Sequence, residues 1–202
     1  MRSDQATVKN MRNSRYEIRI AGSGGQGIIL AGIMLAEAAL LDGKCVAQSQ
    51  TYGAAVRGGD SVSEVIISDV EIDYPHALEL DILVALTQKA CDQNLPDLKE
   101  ESILIVDSQL VHRAIWRKVA SLPFQQIARE AGEERALNMA ALGAIASFYS
   151  EVSRDSLVKV MAKRLPSTKV TANLLAFDEA IKFTHSLRGR LKYLDIKDEF
   201  EI

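Results

Sequence analysis

Polar and apolar side chains alternate through Tyr16-Glu17-Ile18-Arg19-Ile20-Ala21 and then give way to glycines, which predicts a β-strand ending in a tight loop. From Ile28 to Leu41 the chain is rich in Ala, Leu, Ile and Met, and Asp42-Gly43 follows as a stop signal, so a helix is predicted there. Nearly every face of that helix is apolar, which predicts burial on more than one side. A second strand is predicted at 44–48, and strand character resumes at 60–68. Residues 81–86 and 102–107 are short apolar runs bounded by polar residues, the signature of parallel strands covered on both faces. The Gln-, Lys- and Asp-rich segment between them predicts a helix. Beyond Asp107 the pattern turns helical, interrupted by a short strand at 119–122 ahead of Pro123. Helices are then predicted at 133–150, 155–164 and 173–187, the last two separated by Leu165-Pro-Ser-Thr168.

Strands spaced by helices predict an α/β fold: a Rossmann-like, mostly parallel sheet with right-handed crossovers, flanked by helices, in a single domain with a helical C-terminal part. That domain is expected over 16–187, between a polar tail (1–15) and a charged extension (188–202). At 202 residues, 48% hydrophobic and 25% charged, one core is expected, burying roughly 70% of the unfolded chain's surface without metal or disulfide. A formal net charge of -3 with no long basic block argues against a nucleic-acid partner. The polar start carries no apolar leader, and the longest apolar stretch, broken by Glu37, is shorter than the roughly 20 residues a membrane span needs. A cytoplasmic protein without membrane contact is expected.

Cys45 and Cys91 form no CxxC pair, so any iron–sulfur centre is expected on another chain, and both read as small buried hydrophobes. His76, His112 and His185 are scattered without metal-ligand spacing or a triad arrangement. No catalytic residue and no metal site is predicted on this chain.

Gly22, Gly24 and Gly27 fit G-x-G-x-x-G between a strand and a helix, where backbone N–H groups and a helix N-terminus can hold an anion. A dinucleotide site also wants a carboxylate about 20 residues on, and that region reads Val46-Ala-Gln48-Ser-Gln50. Three readings stand: a dinucleotide site, a site for phosphate or another anion, and glycines serving only the turn and close helix–strand packing. The second candidate is Tyr52-Gly-Ala-Ala-Val-Arg-Gly-Gly59. Arg57, flanked by Gly58 and Gly59, can present its planar fork to a carboxylate or phosphate, or pair with an acidic group on this chain or a neighbour. Both loops are expected at one carboxyl edge of the sheet, sharing a site. The candidate anion or coenzyme A loops are thus Gly22, Ser23, Gly24, Gly25, Gln26 and Gly27 with Tyr52, Arg57, Gly58 and Gly59. Asp107 is expected to cap the next helix, and Asn138 to pack its amide against a loop backbone.

Gly22-Ser-Gly-Gly-Gln-Gly-Ile-Ile-Leu-Ala-Gly32, the Tyr52–Gly59 loop, Asn138-Met-Ala-Ala-Leu-Gly143 and Asn173-Leu-Leu-Ala-Phe177, at this spacing, resemble the gamma subunit of the pyruvate and 2-oxoacid:ferredoxin oxidoreductases. Where related chains often carry glycine after the last of these motifs, this one has Ala180. The resemblance implies oxidative decarboxylation of a 2-oxoacid to an acyl-CoA, with electrons passing to ferredoxin or a similar acceptor. It implies alpha and beta, and in some complexes delta, partner subunits holding thiamine diphosphate, Mg and iron–sulfur clusters, with coenzyme A as substrate. The gamma chain is then a non-autonomous subunit serving assembly or coenzyme A contact, and general similarity points to 2-oxoglutarate over pyruvate or branched-chain 2-oxoacids. The alternative is a free-standing nucleotide- or coenzyme A-binding regulatory module.

Overall fold

In the computed structural model, which describes residues 15–53 and 59–187, the first strand β1 (Arg15–Ser23) runs into the helix α1 (Ile28–Leu41) as its pattern predicts. A hairpin follows, β2 (Cys45–Tyr52) and β3 (Asp60–Ser68), then β4 (Leu80–Ala85), α2 (Gln88–Asn94), β5 (Leu98–Asp107) and β6 (Val119–Leu122). The chain closes with α3 (Phe124–Glu130), α4 (Leu137–Phe148), α5 (Arg154–Arg164) and α6 (Ser167–Leu187). Of the expected N-terminal tail only Arg15 is described, as the first residue of β1, and the expected C-terminal extension lies outside the described residues.

The six strands form one sheet in the order β2-β3-β1-β4-β5-β6. The pairs β1–β4, β4–β5 and β5–β6 are parallel, so the expected Rossmann-like, mostly parallel α/β sheet is observed. β3 is the exception. It lies between β1 and β2 and runs antiparallel to both, with Ser23 opposite Asp60 and Tyr52 opposite Ser61. The crossover through α1 places β2 two positions from β1, and the returning hairpin strand fills the gap.

β4 and β5 are buried on both faces, which explains their unbroken apolar runs. Ile82, Val84 and Ile105 face a core shared with α1 and α3 to α6, whereas Leu83, Ala85, Leu104 and Val106 face a smaller core completed by Ala90 and Cys91 of α2 and by Val111. Period-two alternation splits each strand between the two layers. Where α4 and α6 cross, Gly143 meets the backbone of Phe177, so the small residues of 138–146 do permit the close helix packing expected of them.

Four expectations are corrected. Residues 108–118 are irregular rather than helical, because side chains from elsewhere take their backbone N–H groups: Asp107 binds those of Gln109 and Leu110, and Gln88 those of His112 and Arg113. The helix expected at 133–150 is a 3-10 turn (Glu134–Ala136) followed by α4. The last helix begins at Ser167, directly after Pro166, since proline is well tolerated at a helix start where its missing N–H is not needed. Cys91 is buried and its thiol is pushed up to about 11 by desolvation, but Cys45 is exposed because β2 is an edge strand.

Candidate functional site

The two glycine loops meet. The N–H of Gly24 donates to the carbonyl of Gly59 at 2.8 Å, and the N–H of Gly53 donates to the carbonyl of Asp60 at 2.6 Å. Ser23, Tyr52 and Asp60 therefore share one level at the carboxyl edge of β1 and β2, the edge where ligands of open α/β sheets bind. Arg57 and Gly58 lie outside the described residues.

Within the Gly22–Gly27 loop each conformation has a local cause. The side chain of Gln26 folds back, its Oε1 accepting from the N–H of Ser23 at 2.7 Å and its Nε2 donating to the carbonyl of Leu86 at 3.4 Å. Gly22 leaves the space for it, since a Cβ there would run into Gln26 Oε1 and reach Ile28 Cδ1 at 2.9 Å. Gly27, the residue before α1, has φ 72, a left-handed conformation that favours glycine. Its carbonyl accepts from Asn138 Nδ2 at 3.1 Å, while Asn138 Oδ1 accepts from the N–H of Met139 at 3.0 Å. The buried amide is thus satisfied by a loop backbone and ties α4 to the start of α1, as expected of it.

This geometry favours one of the three readings of the glycine motif. Gln26 and Gly59 already take the N–H groups of Ser23 and Gly24, so two of the backbone donors a diphosphate would need are committed inside the protein. No carboxylate stands at the end of β2, where the side chain is Tyr52, 63% exposed. The glycines of the loop meet the needs of turn geometry and close packing.

Sequence reasoning missed a second set of groups at this edge. Lys89, in the first turn of α2, pairs with Asp60 at 2.8 Å and supplies an exposed cation beside Gly59. Gln88 clamps the 108–118 segment, its Oε1 accepting from the N–H groups of His112 (2.9 Å) and Arg113 (3.0 Å) and its Nε2 donating to the carbonyl of Arg113 (2.7 Å). A cleft of about 550 Å³ opens here between α2 and Ala114-Ile115, with His112 and Arg113 on its rim. The signal available in sequence was the position of Gln88 and Lys89 just after a parallel strand.

Asp107, 1% exposed, ends β5 at the same edge. Its Oδ1 accepts from the N–H of Gln109 (2.8 Å) and of Leu110 (3.0 Å), and the carboxylate also takes the backbone N–H of Gln125 in the first turn of α3. It caps a turn as well as the helix expected. Burial holds its carboxyl above the ordinary 3.8, outweighing those hydrogen bonds. The folded state therefore holds the Asp107 proton more tightly than the unfolded chain, and this group's contribution to stability is complete below pH 3.8 and lost as pH rises through the raised value. Urea unfolding at a series of pH values should show the parent losing stability relative to Asp107→Asn across that window. A relative gain with rising pH would contradict burial as the dominant influence.

At the opposite edge a cavity of about 290 Å³ is lined by Tyr16, Lys44, Asp69, Tyr149 and Glu151. Lys44 bridges Asp69 (2.8 Å) and Glu151 (2.6 Å), tying the end of β3 to the end of α4, and the rings of Tyr16 and Tyr149 stack at 4.1 Å. Desolvation pushes the Tyr149 hydroxyl up to about 12. These groups are paired with one another and serve packing. Among the described residues no three His, Cys, Asp or Glu side chains gather to hold a metal ion, and no helix is long and apolar enough to cross a membrane.

Residues 17–183 match the sequence profile of the pyruvate ferredoxin/flavodoxin oxidoreductase family. The chain belongs to that family. Members similar to it include a 2-oxoglutarate synthase subunit KorC of Methanocaldococcus jannaschii, 41% identical over 179 residues that cover 86% of this chain and 96% of the relative. A ketoisovalerate oxidoreductase subunit VorA of Methanothermobacter marburgensis is 34% identical, and there the match covers 89% of this chain but 34% of the longer relative. The crystal structure of a keto/oxoacid ferredoxin oxidoreductase gamma subunit from Geobacter sulfurreducens superposes with a TM-score of 0.75 at 41% identity, over 85% of this chain and 99% of that one. A 2-oxoglutarate:ferredoxin oxidoreductase from Magnetococcus marinus, solved with 2-oxoglutarate, coenzyme A and succinyl-CoA bound, matches with a TM-score of 0.78 at 27% identity, over 86% of this chain and 32% of that one. In the family the same α/β unit thus occurs both as a separate subunit and as one part of a larger chain, and the chain described here is an oxidoreductase subunit.

Proposed function

We propose that this chain is the gamma subunit of a cytoplasmic 2-oxoacid:ferredoxin oxidoreductase, with 2-oxoglutarate as the 2-oxoacid, and that residues 16–187 are its single folded domain. The observation that carries the reading is the likeness of nearly the whole chain to 2-oxoglutarate synthase KorC subunits, which recurs at 42% identity over 173 residues in Methanothermobacter thermautotrophicus. Thiamine diphosphate, Mg and the iron–sulfur clusters then belong to alpha and beta, and in some complexes delta, partner chains, which decarboxylate the 2-oxoacid and pass electrons to ferredoxin. The gamma chain brings its carboxyl-edge loops, Gly22–Gly27 and Tyr52–Gly59, to the side on which coenzyme A accepts the acyl group. Its own residues contribute position. Gln26 and Asn138 fix the first loop, and Lys89 with Arg57 supplies positive charge for the phosphates of coenzyme A.

The test uses the reconstituted complex, assayed by viologen reduction against 2-oxoglutarate, pyruvate and branched-chain 2-oxoacids. The highest kcat/KM is expected with 2-oxoglutarate, and a higher value with another acid would overturn that substrate. In the same complex Arg57→Ala is expected to raise the KM for coenzyme A several-fold with assembly intact. Reduced assembly with unchanged turnover per complex would assign the loop to scaffolding instead.

A further inference from the structure

The two edges of the sheet are built differently. β6 has four residues, is followed directly by Pro123 and is packed by α6, so it offers little backbone for another strand. β2 has eight residues, Cys-Val-Ala-Gln-Ser-Gln-Thr-Tyr, with no charge and no proline, and pairs with β3 in unbroken register. None of its residues is buried, unlike every other strand. Edge strands of folded proteins are normally blunted by charge, proline, a bulge or short length, and a long uncharged edge is a template for another strand.

Which groups it offers follows from its pairing. Gly53, one residue beyond β2 in the same register, turns its N–H to Asp60, and the direction alternates along an antiparallel strand. Val46, Gln48, Gln50 and Tyr52 therefore turn their N–H and C=O groups away from β3. We infer that β2 pairs antiparallel with β2 of a second copy of this chain about a twofold axis through Ser49. In that register Val46 lies opposite Tyr52 of the second copy and Gln48 opposite Gln50, so every outward backbone group of both strands is used. A shift of two residues leaves outward groups unpaired at both ends. The side chains agree with the register: Val46, half-buried against the larger core, and Tyr52 share one face, so the exposed Tyr52 ring covers the Val46 of the other copy. Gln48 and Gln50 face each other as neutral amides, with no charge opposing its like. The two six-stranded sheets join into one of twelve, and the two carboxyl edges point in opposite directions.

Ser49 faces its own counterpart as a non-hydrogen-bonded pair, with Cα atoms about 4.5 Å apart, within disulfide reach. The full-length Ser49→Cys chain, in a Cys45→Ala background, should therefore oxidise to a covalent dimer, and the parent chain should sediment as a dimer at micromolar concentration. Gln50→Pro removes an outward N–H and no bond to β3, so it should sediment as a monomer with an unchanged melting temperature. Removal of residues 1–14 should leave the dimer intact. A monomeric parent, a Gln50→Pro chain that still dimerises, a dimer lost with residues 1–14, or no cross-link at position 49 would each overturn the pairing. Should Gln50→Pro fail to fold, the cross-link decides.

Discussion

Gly143→Leu is expected to be strongly destabilising, by about 3 kcal/mol or more. A Cβ at position 143 would run into the carbonyl oxygen of Phe177 and come within 3.1 Å of its carbonyl carbon and 3.2 Å of the Ala180 Cβ. The obstacle is helix backbone and cannot turn aside as a side-chain end could. Relief requires α4 and α6 to separate, and the two helices bury Met139, Leu142, Ile145, Ala176 and Phe177 between themselves and the sheet. Overpacking costs about 1–3 kcal/mol where side chains can adjust, and here the cost stands at or above that range. Against a net stability of about 5–15 kcal/mol that is a large share of what holds the fold together. Chemical unfolding would show it, and a midpoint within error of the parent would mean that α4 and α6 are not in backbone contact. Gly143→Ala tests the same contact more gently, since its gain in helix propensity of about 1 kcal/mol works against the clash.

The second large effect belongs to Gly27→Ala. The left-handed φ of 72 disfavours any Cβ, and this one would collide with Asn138 Nδ2 and stand 2.8 Å from Asn138 Cγ. The variant breaks the link between α4 and the glycine loop, 111 residues apart in sequence, and displaces the start of α1. A loss of about 2–3 kcal/mol in stability is expected from backbone strain and the severed hydrogen bond together. Asn138→Ala alone should cost about 1 kcal/mol, because the Gly27 carbonyl loses one of its two donors and keeps the N–H of Ala31. The double variant should be more stable than the sum of the two losses predicts, since Asn138→Ala removes the atoms that the new methyl meets. Strict additivity in urea unfolding would show that the two residues do not touch. In the assembled enzyme both single variants should lower turnover more than the Asp107→Asn change does.

Legibility followed the range of the interactions. β1, α1, β4 and β5 could be read from the chain because their patterns report burial, which each residue records by itself: Ile82 and Leu83 are both apolar because each face of the sheet is covered. The place of β3 could not be read, since Asp60–Ser68 alternates in the same way whichever neighbour it has and whichever way it runs. Residues 108–118 read as helical because nothing local reveals that Gln88, more than 20 positions earlier, holds the N–H groups of His112 and Arg113. Near the first loop, spacing placed the glycines in a strand-to-helix turn and Asn138 against a loop backbone, as observed. It could not distinguish a phosphate cradle from a closed turn, because the difference lies in one rotamer: Gln26 folds back onto the Ser23 N–H instead of leaving it to a ligand. Lys89 was overlooked for a related reason, as its pairing with Asp60 across the sheet edge has no signature in sequence.

The proposed role depends on this chain working inside a thiamine-diphosphate enzyme. Gentle isolation of the full-length chain from its own cells, followed by cofactor analysis and dye-reduction assay, tests that dependence most directly. The predicted result is co-purification with partner chains that carry thiamine diphosphate and iron–sulfur clusters and that reduce viologen only when a 2-oxoacid and coenzyme A are both supplied. Recovery of the chain without such partners, together with saturable binding of a dinucleotide by the isolated protein, would contradict it.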